Sequence, residues 1–337
     1  AVYKKNKIDW KSREKELEKL CDRFRSKDDS YDVVVPCSGG KDGSFVCHQL
    51  KHKYKMTPLA VTWSPLRYTP AGRQNLDSFI ESGFNHILGT PDRIVTRKLT
   101  KLCFNILGDP FQPFILGQKF IGPKIARKFG IKLVFYGENE AEYGNPMSTA
   151  LTPTRSSKFF TYNKLEDIYL AGYKYKDLIN KFKISPKELK TYLPDEENDI
   201  IKDKIEVHYL GYYLKWHPQD CYYYAVKNSN FKISPERTPG TYSKYNSIDD
   251  KIDDLHYYTT GIKFGIGRAT YDAAQEIRNQ KITREEGVIL VKKFDHEFPE
   301  RYFQEFIKYI DIDKDHGRGR PGSVPEAPRL PRELKTA

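Results

Sequence analysis

The chain has 337 residues and a mass of 39.3 kDa, enough to bury a real core as one large or two closely packed domains. No apolar run approaches the roughly 18 residues that a bilayer-spanning helix needs, and AVYKKNKIDW at the start carries charge without the apolar core of a signal peptide. The formal charge of +12 invites a nucleic-acid reading but suits anionic small substrates equally well, and most lysines are interleaved with acids, as in KSREKELEKL, so neither a nucleic-acid nor a membrane partner is expected.

In chain order, Trp10, Leu17, Leu20, Cys21 and Phe24 fall at helical spacing and predict an amphipathic helix over 8–26. A β-branched run predicts a strand over 31–36, followed by a glycine-rich turn and a helix over 43–54. Further strands are expected at 58–63, 86–88 and 132–136, with helices around 73–83, 93–107 and 118–129, the last ending at Gly130. Strands alternating with helices imply right-handed crossovers and a parallel sheet, hence an α/β fold. Ligands of such sheets sit at the carboxyl ends of the strands, so the turn after Pro36, the residues Thr62 and Trp63, and the segment after Tyr136 should face one crevice.

From about residue 152 the alternation stops, and the rest reads as helices with loops, two of them starting after Ser185 and at Thr283. This organises the chain as an N-terminal helix (1–27), an α/β nucleotide-binding domain (28–152), and a mainly helical substrate or partner domain (153–315). The Arg/Pro/Gly-rich remainder (316–337) reads as a disordered tail or an expression scar. The five cysteines (Cys21, Cys37, Cys47, Cys103, Cys221) have no C-x-x-C spacing, which suggests reduced thiols in the cytoplasm, with Cys37 beside the turn a small buried residue and a nucleophile the alternative.

The turn SGGKDGSF is the most informative stretch. A strand turning through glycines into a helix N-terminus exposes unpaired N–H groups and the positive end of the helix dipole, which favours an anion. Ser38, Gly39, Gly40, Gly43 and Ser44 form the cradle, with Thr62 on the neighbouring strand. Lys41 adds a point charge, and Asp42 suits a magnesium ion bridging phosphates. The run does not fit G-x-x-x-x-G-K-[ST]. It resembles the SGGxDS loop of the PP-loop ATP pyrophosphatases, except that Gly43 stands where a second serine is usual and Ser44 lies one step on. An ordinary glycine-rich turn is the bland alternative.

YGENEAEYGNP places Glu138, Glu140 and Glu142 among Asn139 and Tyr143 beside this turn. Carboxylates there would repel a nucleotide unless they hold magnesium, a cationic group or sugar hydroxyls; a solvated acidic loop is the alternative. GIKFGIGRAT fails as a dinucleotide fingerprint, but Lys263 and Arg268 flank its glycines and could clamp a polyphosphate, or simply mark a helix break. His208, His217 and His256 lack metal-ligand spacing, and Ser38 lies in no G-x-S-x-G elbow.

With PFQPFILGQK (110–119), FYGENEAEYGNP (135–146) and the segments TYSKYNSIDDKID through GIGRATYDAAQEIRNQKITREEG (241–287), the chain from about 8 to 312 resembles the N-acetyl sugar amidotransferases, bacterial PP-loop enzymes of surface-polysaccharide assembly. The resemblance implies conversion of a sugar acetamido group to acetamidino. ATP, with magnesium, adenylates the amide oxygen, and ammonia then displaces AMP. It also implies a glutaminase subunit and a cyclase-like ammonia-channelling subunit, both resembling histidine-biosynthesis proteins. Lys41, Asp42 and Glu138 become the expected catalytic residues, and Asn139, Glu142 and Tyr143 the expected sugar contacts. The family's chains commonly begin with a cysteine-rich C-x-x-C segment, which this sequence does not show. The competing use of such a loop is tRNA thiolation, which needs a catalytic cysteine pair and a tRNA platform; a module that merely binds ATP is the third possibility.

Overall fold

The structure is a computed structural model and describes residues 4–143 and 152–312. The tail expected from 316, and residues 144–146 of the acidic motif, lie outside the described residues.

Five strands form one parallel sheet: β1 (Val33–Pro36), β2 (Pro58–Trp63), β3 (His86–Gly89), β4 (Leu133–Tyr136) and β5 (Glu206–Tyr209), in the spatial order β3-β2-β1-β4-β5. The helices between them are α1 (Trp10–Phe24), α2 (Lys41–His48), α3 (Pro70–Glu81), α4 (Arg93–Leu107) and α5 (Gln112–Phe129). Successive side chains of a strand point to opposite faces, and here both faces are covered, so the central strands are apolar throughout. Val34, Val61 and Val134 pack with Leu99, Cys103 and Phe114 of α4 and α5. Val33, Val35, Ala60 and Phe135 pack with Leu17 of α1, Val46 and Cys47 of α2, and Phe79 of α3.

Several boundaries differ from expectation. Helix α2 begins two residues early, at Lys41, and runs into a π-helical turn over Gln49–Lys53. Helix α5 starts at Gln112, not 118, because Pro113 is acceptable in a first helical turn, where its missing N–H would have no partner. The sheet also does not end near residue 152: β5 extends it, with Leu133 opposite Glu206 and Tyr136 opposite Tyr209.

Beyond β5 the chain is mainly helical: α6 (Pro218–Ser229), α7 (Asp253–Phe264), α8 (Arg268–Arg278), α9 (Arg284–Phe294) and α10 (Glu300–Tyr309). Ser185 and Thr283 each close a capping box with the glutamate three residues on, as their sequence context suggests. The helix-free stretch before α7 is sewn onto the loop after β2. Thr69 N–H donates to the Asp249 carbonyl (3.1 Å), Lys251 N–H to the Arg67 carbonyl (2.8 Å), and the Asp250 carboxylate accepts from the Leu66 and Arg67 N–H groups. No helix among the described residues is long and apolar enough to cross a membrane.

Candidate functional site

The strand order reverses between β1 and β4, since the chain leaves β1 toward β2 and β3 and returns to the other side as β4. Loops at such a switch point diverge and leave a crevice at the carboxyl ends of the strands. A cavity of about 310 Å³ opens there.

Its floor is the glycine-rich turn between β1 and α2. Gly39 has φ +81°, and a Cβ there would lie 2.5 Å from the Leu76 backbone, so only glycine lets the turn lie against α3. At Gly43 a Cβ would fall 2.7 Å from the Cys37 sulfur. A serine cannot stand at 43 while Cys37 occupies that space, which accounts for the departure from SGGxDS. Ser38, Gly40, Lys41 and Asp42 line the cavity. Lys41 is only 4 % exposed, pairs with the Asp42 carboxylate, and has its Nζ 5.7 Å from the centre of the Tyr245 ring. Burial works against its charge, but Asp42 and Glu138 outweigh that and raise its pKa. The other Asp42 oxygen, Oδ1, is buried without a hydrogen-bond partner among the described residues.

The segment after β4 supplies Glu138 and Tyr143, whose hydroxyl donates to Glu138 Oε1 at 3.0 Å. Burial, then the nearby Asp42, push the Glu138 carboxyl up to about 7, with Lys41 pulling the other way.

The opposite wall is built from Tyr245–Tyr257 and Arg268, far away in sequence. Arg268, at the start of α8, donates to Ser247 Oγ (3.1 Å), Tyr257 Oη (2.9 Å) and Asp272 Oδ1 (3.1 Å), which fixes its guanidinium at the cavity edge. Asp249 and Asp253 stand beside it, and the Ser38 hydroxyl reaches Asp249 across the cavity. Burial first, and then Asp253, raise the Asp249 pKa. Phe111, Phe114 and Gln118, around the start of α5, complete the enclosure with His256.

Several expected site residues do not reach this cavity. Ser44 is buried, and its hydroxyl turns back toward the Gly39 carbonyl (3.5 Å). Thr62 donates to the Cys37 carbonyl and meets His86 Nε2 at 2.7 Å, so it braces the turn from behind. Lys263 donates to the Leu107 carbonyl at the end of α4, where a cation satisfies an orphan helix acceptor. Asn139 is 1 % exposed and accepts from Ala141 N–H (3.0 Å). Glu142, also 1 % exposed, sits between Lys5 (2.6 Å) and Arg278 (3.3 Å), tying the N-terminal segment to α8. Glu140, in the same segment, accepts from Tyr209 Oη and pairs with Arg155.

Asp249, Asp253, His256 and Tyr257 carry no role in the sequence reading. The signal was present: NSIDDKIDDLHYY places acids, a histidine and tyrosines within one short run, and all four residues lie in it.

Residues 239–317 match a family model described as "LPS biosynthesis protein WbpG-like, C-terminal domain", consistent with the resemblance to the N-acetyl sugar amidotransferases. No curated protein matches the chain. Among solved structures the chain is similar to the U34-tRNA thiolase NcsA from Methanococcus maripaludis with its 4Fe-4S cluster, at 12 % identity over 83 % of each chain and a TM-score of 0.28, a likeness too low to carry an inference. The matched segment contributes Tyr245, Asn246, Asp249, Asp253, Tyr257 and Arg268 to the cavity opposite the glycine-rich turn.

Proposed function

We propose that the chain is an ATP-dependent amidotransferase of surface-glycan biosynthesis, acting in the cytoplasm and converting the acetamido group of a nucleotide-linked sugar to acetamidino. One observation supports this reading: the segment matching an LPS-biosynthesis family lines the cavity opposite a glycine-rich strand-turn-helix. ATP is the co-substrate, with its phosphates against Ser38, Gly40 and the first turn of α2. Lys41 supplies charge to the departing pyrophosphate. Asp42 fits a magnesium ion, because its Oδ1 is a buried acceptor without a donor; the ion, when bound, neutralises phosphate charge. Asp42 would hold the ion together with phosphate oxygens and water.

The sugar amide oxygen attacks the α-phosphorus and pyrophosphate leaves. An amide carbonyl is a poor electrophile, and AMP is a good leaving group once that oxygen carries it. Glu138 and Tyr143 hold the acceptor sugar, and Arg268 holds developing phosphate charge from the far wall. The aromatic wall of Phe111, Tyr245 and Tyr257 keeps water from the adenylate. Ammonia comes from a separate glutaminase subunit through a cyclase-like subunit. A thiolating use of the same turn would draw on cysteines; all five are buried, with Cys37 and Cys47 in side-chain contact.

The test is the product pair. ATP, magnesium, ammonium and an acetamido sugar should give AMP and pyrophosphate with the protein alone, and glutamine should replace ammonium only when a glutaminase subunit is added. ADP and inorganic phosphate as products would overturn the reading, and AMP formation with tRNA but without sugar would shift it to thiolation.

A further inference from the structure

Asp109 lies in the turn between α4 and α5, and each of its oxygens is committed. Oδ1 accepts from Phe111 N–H (2.8 Å), while Oδ2 accepts from the Thr259 hydroxyl (2.9 Å) and from His256 Nδ1 (2.7 Å). A carboxylate cannot donate, so the His256 proton resides on Nδ1 and the acceptor lone pair of the neutral ring is on Nε2. The ring is stacked on Phe111 at 4.9 Å and 18°, which fixes its plane. Its side chain is 18 % exposed and lines the cavity, and no hydrogen bond to Nε2 is found among the described residues. An imidazole whose tautomer and orientation are both set, on a residue that lines the cavity and with no partner found for its other nitrogen among the described residues, has the arrangement of an oriented acid/base group.

We infer that His256 accepts the proton of the attacking ammonia in the second half of the reaction, with Asp109 as its positioning residue. This rests on the amidotransferase reading. When ammonia adds to the adenylated carbon, its lone pair forms the new C–N bond, the C=N π pair of the imidate returns to the sugar nitrogen, and the attacking nitrogen is left positively charged with three protons. If the C–O bond to AMP broke at that stage, both nitrogens of the product would be cationic. His256 Nε2 first takes one proton. The nitrogen lone pair then forms the C=N bond as the C–O electrons leave with AMP, and the imidazolium returns its proton to AMP or water.

Three charged groups set the His256 balance. Burial disfavours the imidazolium; Asp109 from the α4–α5 turn and Asp253 from its own helix favour it, and Arg268 from α8 opposes them. The net effect raises its pKa above 6.5. Amidine formation at fixed free ammonia should therefore climb with pH through a value above that of free histidine.

The half-reactions separate this role from a structural one. Sugar-dependent exchange of labelled pyrophosphate into ATP, without ammonia, reports adenylation alone. His256→Ala and His256→Gln should keep that exchange, while amidine formation falls by roughly 10²–10⁴-fold and recovers partly with added imidazole. Asp109→Asn should keep exchange and move the pH profile of amidine formation downward. The inference is overturned if His256→Ala makes amidine at the wild-type rate. It is equally overturned if both His256 variants lose exchange together with amidine, which would make the residue a phosphate ligand or a scaffold. Absence of sugar-dependent exchange in the unaltered protein would instead defeat the amidotransferase reading, and this inference with it.

Discussion

The two walls of the cavity are made in different ways. The floor is local: within eight consecutive residues, β1 ends, Gly39 and Gly43 let the turn nest between α3 and Cys37, and α2 begins. The far wall is assembled from a distance, by hydrogen bonds from residues 248–251 to the loop after β2 and by Arg268 held among Ser247, Tyr257 and Asp272. The floor offers N–H groups and one lysine, chemistry that suits any polyphosphate. Arg268, Asp249 and Asp253 on the far wall are what can distinguish one acceptor from another. General affinity therefore belongs to the floor and selectivity to the far wall.

The comparison breaks first if the far wall's supports turn out to be substrate contacts. Glu142 is buried between two cations, and burial already pulls the Lys5 pKa down. Removing one partner of a buried ionic group strands the others, at a cost of about 3–5 kcal/mol. Glu142→Gln should thus lower the unfolding free energy by that much, as read from denaturant melts. Full stability with lost turnover would return Glu142 to the substrate.

The next largest effect concerns the two cations of the glycine segment. Arg268→Ala should reduce turnover by roughly 10²–10³-fold, the scale of losing one preorganised donor to developing charge. Lys263→Ala should leave turnover intact and cost about 1 kcal/mol of stability, the worth of an ordinary hydrogen bond. Equal losses of activity in both would remove the distinction drawn from their contacts.

On the floor, Lys41→Ala should weaken ATP binding by roughly 10–10²-fold, from loss of charge-assisted hydrogen bonds. Its effect should be the same for every acceptor sugar, whereas far-wall variants should change the ranking of sugars. Titration calorimetry and a sugar panel read the two separately.

The smallest effect is electrostatic. The Glu138 carboxyl is raised from 4.5 to about 7, so between those values the folded protein holds a proton that the unfolded chain has released. That contribution to stability is full below 4.5 and is lost as pH rises through about 7. Glu138→Gln, which cannot ionise, should flatten the decline of the unfolding midpoint across this window; an unchanged slope would mean that the carboxyl titrates normally.

The sequence discloses what is set locally. The valine run of β1, the apolar PLAVTW of β2, the glycine turn, and the capping boxes at Ser185 and Thr283 are all fixed by neighbours in the chain. Strand β5 was hidden because EVHY has a single β-branched residue and runs into aromatic residues that read as helix; edge pairing with β4 decides it. Thr62, Ser44 and Glu142 lie away from the cavity for a related reason. Proximity to a phosphate turn in sequence does not say which way a side chain faces, and each found a buried partner behind the cavity. Nothing local to His256 signals its role, because its partner, Asp109, is 147 residues away.

The central claim is that the amide oxygen of the acceptor sugar attacks ATP within this cavity. An acetamido sugar carrying a heavy oxygen isotope in its carbonyl, turned over with ATP, magnesium and ammonium, tests it directly by mass spectrometry of the products. The account predicts the label in the phosphate of AMP, and an amidine that has lost it. Label retained in the sugar product, or found only in pyrophosphate or water, would contradict it.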